Sequence, residues 1–118
     1  MVKRFEDLDI WKKAFKLSIE IYKLFSNCRD FGFKDQITRS ALSIPSNISE
    51  GFERNSKKEF IHFLHFSKGS SGESRTQLYI AVELGYIDKE KGLELIKQAV
   101  EISAMIAGLI KKIKSFLL

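Results

Sequence analysis

A chain of 118 residues, 44% of them apolar, suits one domain with a buried core and is too apolar for disorder. Its net charge of +5 and pI of about 9.4 point to acidic partners, nucleic acid first, although 15 acidic residues are interspersed with the 20 basic ones and most of these charges read as a solvated helix surface. A lone cysteine, Cys28, excludes an internal disulfide and suggests a reducing compartment, MVKRFEDLDI lacks the apolar core of a secretion signal, and uncharged runs of about ten residues fall short of the ~20 a membrane span requires, so a soluble cytoplasmic protein is expected.

The first helix is predicted over about residues 8–26. Leu8, Trp11, Phe15, Ser18, Tyr22 and Phe25 step by three and four, the spacing of a buried seam. Ile10, Ala14, Leu17, Ile21 and Leu24 form a second seam, about 110° away around the helix. Asp7 is placed to cap the start, and Asp30-Phe31-Gly32 ends the following connection.

The second helix is predicted over about 33–53. Its stripe Ile37, Ala41, Ile44, Ile48 and Phe52 keeps phase across Pro45, so one kinked helix is expected rather than two pieces. Proline removes the amide that would bond the Ala41 carbonyl, and nearby serines or a water would satisfy it. Gly51 weakens the helix where it must end.

The third helix is predicted over about 56–85, opened by a capping box of Ser56 and Glu59 and closed by Gly85. The run SKGSSGES inside it has the composition of a loop. A loop would leave short helices on both sides, and the apolar spacing resumes in phase after it. A continuous helix is therefore expected, its small residues letting a neighbour approach closely. The fourth helix, about 88–115, is capped by Asp88. It also carries two seams: Leu93, Ile96, Val100, Ser103, Ala107 and Ile110, then Leu95, Ala99, Ile102, Ile106, Leu109 and Ile113.

Four helices with short connections predict an all-α, antiparallel up-down-up-down four-helix bundle spanning residues 1–118 as one domain. A helix in a monomeric bundle needs one apolar stripe, and helices one and four each have two. Either another copy of the chain covers the surplus, or these two helices sit centrally with wide buried faces. Self-association is the expectation.

Residues with catalytic chemistry are few. Glu59, His62 and His65 lie at i, i+3 and i+6; Glu-x-x-His resembles di-iron bundles, which need two such motifs and further glutamates. No metal, cofactor or catalytic residue is assigned, and no phosphate-binding loop, dinucleotide fingerprint or zinc spacing is found. Cys28 beside Arg29 reads as an incidental thiol. Gln36, Arg39, Ser43, Asn47, Glu50 and Arg54 step along one polar face of helix two. That face is either solvated, with Ser43 and Asn47 satisfying loosened backbone, or a recognition strip with Arg54, Lys57 and Lys58 as a basic rim for phosphates.

FEDLDIWKKAFKLSIEIY resembles the first helix of the four-helix bundle proteins encoded in intervening sequences of bacterial large-subunit ribosomal RNA genes. QITRSALSIPSNISEGFERNSKKEFIHFL is similar to that family's central signature, an arginine, then S-I-P-x-N-I-x-E-G, then a lysine-rich helix start. SKGSSGESRTQLYIAVELGYI resembles its third helix, and the likeness runs from about Phe5 to Leu109. The signature falls on Arg39, Ser43, Ile44, Pro45, Asn47, Ile48, Glu50 and Gly51. Ser40 departs from the family's more frequent alanine but stays small, so packing need not change; Gly72 stands where a larger residue is usual.

The resemblance implies a bundle that assembles into a homopentamer with a central channel and a basic outer surface. It also implies a distant likeness to the accessory variability protein of retroelements, which binds a reverse transcriptase and nucleic acid. A role in handling intervening RNA is inferred for the family from where its genes lie, in ribosomal RNA operons. Two functions follow as expectations. One is a non-enzymatic oligomer that binds RNA or DNA with weak sequence preference through Lys12, Lys13 and Lys16 on helix one and Arg54, Lys57 and Lys58 near the helix two–three junction. The other is an adaptor presenting helix two to a protein partner such as a polymerase or reverse transcriptase, without direct nucleic-acid binding. The aliphatic residues of the C-terminal KKIKSFLL continue the core seam, which argues against a membrane role.

Overall fold

A computed structural model describes residues 2–117; Met1 and Leu118, the two ends of the expected domain, lie outside the described residues. A 3₁₀ turn over Phe5–Asp7 precedes four helices: α1 Asp9–Leu24, α2 Phe31–Glu53, α3 Lys57–Glu83 and α4 Lys89–Ser115. Each packs on its chain neighbours and α1 closes against α4, leaving α1 with α3 and α2 with α4 on the diagonals. The result is an up-down-up-down bundle, 48 × 20 × 20 Å.

The start of α1 differs from expectation. Asp7 does not cap it; Leu8 holds the N-cap position, in extended backbone, without a side-chain bond. The amides of Asp7 and Leu8 instead bond the carbonyls of Arg4 (3.1 Å) and Phe5 (3.0 Å), which closes the tight turn. Phe5 holds that turn in place, its ring edge-on to Trp11 (5.4 Å) and to Phe52 (6.5 Å). Aromatic packing thus overrides the cap. Asp30 belongs to the next helix rather than to the end of the connection. Its carboxylate accepts from the Phe33 amide at 3.1 Å, so α2 begins two residues earlier than expected.

α2 runs unbroken through Pro45, with Ile37, Ala41, Ile44 and Ile48 fully buried in one phase. The Ser43 hydroxyl donates to the Arg39 carbonyl (2.9 Å) and the Asn47 amide to the Ser43 carbonyl (2.8 Å), so both side chains bond backbone around the proline but, contrary to expectation, Ser43 does not serve the freed Ala41 carbonyl. Gly51 does not mark the exit. It is buried inside α2, where an added Cβ would lie 2.6 Å from the Phe63 Cβ, so the residue serves close contact with α3. The chain turns instead at Asn55, in the left-handed region (φ 58°), a conformation asparagine tolerates.

α3 opens with the Ser56 hydroxyl accepting from the Glu59 amide (3.3 Å). It continues without a break through SKGSSGES. Ser67, Ser71 and Ser74 face inward, fully buried. Ser67 donates to the Ile44 carbonyl of α2 (2.8 Å) and Ser71 to the Ala99 carbonyl of α4 (2.9 Å), while Ser103 donates to Ser71 (2.9 Å). Ser40 adds more than small volume: its hydroxyl lies 2.6 Å from Gln77 Oε1 and 2.9 Å from the Ser74 hydroxyl, all three residues buried. α3 thus meets both neighbours at small residues whose hydroxyls find acceptors. Gly72 leaves the helix intact. Gly85 (φ 73°) ends it, with the Tyr86 amide on the Ala81 carbonyl (2.9 Å) and its own amide on Val82 (3.1 Å).

α4 starts at Asp88, whose carboxylate accepts from the Lys91 amide (3.2 Å). Of its two seams, Leu95, Ala99, Ile102, Ile106 and Ile113 are buried; the other is split, with Ile96 and Ile110 buried and Leu93 and Val100 exposed. α1 divides in the same way. Ile10, Ala14, Leu17 and Ile21 fill the core with Ser18 and Phe25, while Phe15 and Tyr22 point outward. Two ion pairs clip α1 to α4, Lys13–Glu101 (3.1 Å) and Lys91–Glu20 (3.4 Å).

Candidate functional site

The S-I-P-S-N-I-S-E-G segment divides by face. Ile44, Pro45, Ile48 and Gly51 are buried in the bundle. On the other side the polar groups are occupied along their own helix. Arg39 pairs with Asp35 (3.1 Å), Ser43 and Asn47 bond backbone, and Glu50 pairs with Arg54 (2.9 Å). Arg54 also approaches Glu59 (3.8 Å), and its guanidinium lies 4.8 Å from the Phe63 ring centre. The Glu50 hydrogen bond pushes the Arg54 pKa still further up, so its charge is fixed. Such exposed pairs add little stability, but they turn the strip's charges toward each other.

The six basic candidates are not equivalent. Lys13 and Arg54 are paired with carboxylates, whereas Lys12, Lys16, Lys57 and Lys58 have no ion pair among the described residues. Glu59 leans on Arg54 and the His62 ring packs edge-on against Phe66 (4.5 Å), which separates the Glu-x-x-His side chains. Among the described residues no group of three metal-ligating side chains converges.

Antiparallel packing brings the chain's start, the end of α2, the start of α3 and the end of α4 to one end of the bundle. Residues 2–13, 47–66 and 101–117 make up that end, Glu101 lying level with its partner Lys13 (3.1 Å), and carry ten basic and seven acidic side chains; the rest of the chain carries ten and eight. The net charge of +5 divides as +3 and +2, so what sets this end apart is its cluster of cations without an ion pair among the described residues: Lys57, Lys58, Lys111, Lys112 and Lys114.

A groove of about 1040 Å³ opens there. Its floor is apolar, formed by Leu8, Phe52, Phe60, Leu109 and Ile113. Phe52 and Phe60 meet edge to face at 5.7 Å. Its rim carries Lys3, Arg4, Lys57 and Lys112, with one acid, Asp7; Arg4 is also paired with Glu6 (3.3 Å), which a phosphate would have to displace. Phe116 stands beside them, 63% exposed, with the Lys57 ammonium 5.4 Å from its ring centre. Of the rim cations, the sequence pointed to Lys57 alone as a phosphate contact, and it marked Leu8, Phe52, Leu109 and Ile113 only as core. The signal for the others was the up-down-up-down topology itself, which places KKIKSF beside VKRF.

A second feature lies on the α1–α2 face. Phe15, Ile19, Tyr22 and Leu42 are 40–48% exposed and surround the edge of buried Pro45, lining an apolar hollow of about 370 Å³.

These features define a small all-α bundle protein with a basic-rimmed groove at one end and a half-exposed apolar face. The chain belongs to the 23S rRNA-intervening sequence protein family, which matches residues 6–108. It is also similar to a solved structure from Bacteroides thetaiotaomicron, described as a protein with unknown function from the S23 ribosomal protein family. The two share 25% identity at a TM-score of 0.81, over 86% of this chain and 98% of that one. No curated protein matches it. No helix among the described residues is long and apolar enough to cross a membrane.

Proposed function

We propose that this is a non-enzymatic, self-assembling bundle protein that binds RNA or DNA, chiefly through phosphates and with weak sequence preference. The observation that carries it is the cluster of cations at one end of the bundle: Lys57, Lys58, Lys111, Lys112 and Lys114 have no ion pair among the described residues. A cluster of cations without carboxylate partners attracts a polyanion by releasing its counterions, whereas paired charges do so much less. Membership of a family named for ribosomal RNA intervening sequences supports the same partner class. Lys12 and Lys16 on α1, without an ion pair among the described residues, extend the binding surface.

Self-assembly is supported by the apolar α1–α2 face, which another copy would cover. The number five rests on the family resemblance alone. Repetition of each basic end around a symmetry axis would let weak phosphate contacts act together.

The test is a titration with labelled RNA and DNA at low and at physiological salt. Binding should fall steeply with salt. Lys57→Glu with Lys58→Glu should weaken it for all sequences alike and flatten the salt dependence, by about one unit of slope for each phosphate no longer neutralised. If the wild type shows no binding even at low salt, an adaptor for a protein partner takes its place.

A further inference from the structure

Phosphate binding alone leaves the floor of the basic groove without a purpose. A duplex presents sugars and phosphates outward and keeps its bases stacked inside, so it would meet the lysines of the rim and leave the apolar floor empty. A single strand exposes both chemistries, alternating a charge with a flat apolar ring. The groove matches that alternation. Cations come from three separate elements: Lys3 and Arg4 from the N-terminal segment, Lys57 from α3 and Lys112 from α4. They are spread around the opening, as successive phosphates require, rather than supplied by one element as a single headgroup would need. Phe116 is a large aromatic ring left 63% exposed at the rim, with the Lys57 ammonium 5.4 Å from its centre. A phosphate on Lys57 therefore brings the adjoining base to the ring. At about 1040 Å³ the groove lies at the top of the ~300–1,000 Å³ typical of ligand sites.

We propose that this groove takes a segment of single-stranded nucleic acid, with phosphates on Lys3, Arg4, Lys57 and Lys112 and a base stacked on Phe116. It rests on the nucleic-acid reading above and narrows it to one site and one strand state. Stacking accepts any base, which agrees with weak sequence preference.

The experiment titrates the full chain with a labelled oligouridylate and with an RNA hairpin duplex of equal phosphate number, for wild type and Phe116→Ala. Phe116 is exposed near the end of the chain, so its loss should leave the bundle folded, as a circular dichroism melt would check. The single strand should bind more tightly than the duplex. Phe116→Ala should weaken the single strand about fivefold or more and leave the duplex unchanged. Equal affinity for the two nucleic acids, or a single-strand affinity indifferent to Phe116, overturns the groove assignment while the wider nucleic-acid reading stands. No binding of either nucleic acid overturns both. Phosphatidylglycerol vesicles that bind through Phe116, with oligouridylate indifferent to it, would assign the groove to an anionic lipid and also overturn the proposal.

Discussion

A Cβ added at Gly51 would stand 2.6 Å from the Cβ of Phe63, closer than two side chains tolerate, and 3.4 Å from the Phe60 carbonyl oxygen. The obstacle is a Cβ beside backbone, so a rotamer change cannot relieve it. Alanine would gain at most about 1 kcal/mol of helix propensity in this last turn of α2. Overpacking at a fixed point of approach costs about 1–3 kcal/mol. Gly51→Ala should therefore be a net loss of up to about 2 kcal/mol, seen as a lower urea midpoint at unchanged slope. A stabilised Gly51→Ala protein would contradict the close approach.

Gly69 predicts the opposite sign. It lies inside α3, and nothing comes within 4 Å of an added Cβ. Gly69→Ala should gain about 0.5–1 kcal/mol from propensity and a stiffer unfolded chain. The same denaturant titration checks it, and a destabilised variant would show that this face is occupied.

The contrast between these glycines marks what the sequence carries. Periodicity placed four helices and kept α2 and α3 whole, because apolar phase is a local property that survives an internal proline or a serine run. Caps at Ser56 and Asp88 and the stop at Gly85 were legible for the same reason. A glycine near a helix end, by contrast, looks the same whether it loosens the exit or admits a neighbour; only the partner, Phe63, decides. Asp7 had the chemistry of a cap and lost to the packing of Phe5 on Trp11 and Phe52. The groove draws on three distant stretches, so no local pattern signals it. The basic residues of the α2–α3 junction were legible because three of them lie within five positions.

Ser40, Ser74 and Gln77 form a buried polar cluster between α2 and α3. Ser40→Ala keeps the volume nearly unchanged and removes the donor to Gln77 Oε1. The cost should be about 1–3 kcal/mol, that of an unpaired buried acceptor. If Ser74 turns to replace the donor, the loss falls to the bottom of that range. A urea titration of the single variant and of Ser40→Ala with Gln77→Leu separates the cases; the double variant should recover much of the loss, since both partners are then apolar.

The Tyr86 hydroxyl donates to Asp30 at 2.7 Å, tying the α3–α4 connection to the start of α2. This bond, with the Phe33 amide second, holds the Asp30 carboxyl below its usual value, and it raises the Tyr86 hydroxyl above its own. A depressed carboxyl contributes stability that is present above its unfolded pKa, about 3.9, and is lost as pH falls through the folded value. A raised phenol contributes stability that is present below about 10 and is lost as pH rises through its folded value. Tyr86→Phe should thus be less stable than wild type by a constant amount across neutral pH. The gap should narrow below pH ~4 and again above pH ~10. Paired thermal melts over that range test it; a gap that widens toward acid would exclude the bond as its cause.

Phe15, Tyr22 and Leu42 are 46–48% exposed on one continuous face of α1 and α2. Scattered apolar residues are ordinary on a surface, but a contiguous set around a hollow is what a partner covers. The split seams on α1 and α4 point the same way: one seam of each builds the core, while Phe15 and Tyr22 of the other α1 seam and Leu93 and Val100 of the other α4 seam stay nearly half exposed, even with Phe15 stacked on Trp11 (5.0 Å). Sedimentation at micromolar concentration should show an oligomer of wild type. Tyr22→Asp with Leu42→Asp should shift it to monomer while helix content by circular dichroism stays the same, because both side chains already lie half in solvent. The monomer keeps every residue of the basic end. If repeated weak contacts act together in the assembly, its apparent affinity for a long single strand should fall at least tenfold, while affinity for a strand short enough to reach one groove stays the same. A wild-type monomer would remove the assembly. An assembled wild type whose monomeric variant binds long strands equally well would instead leave each groove working alone.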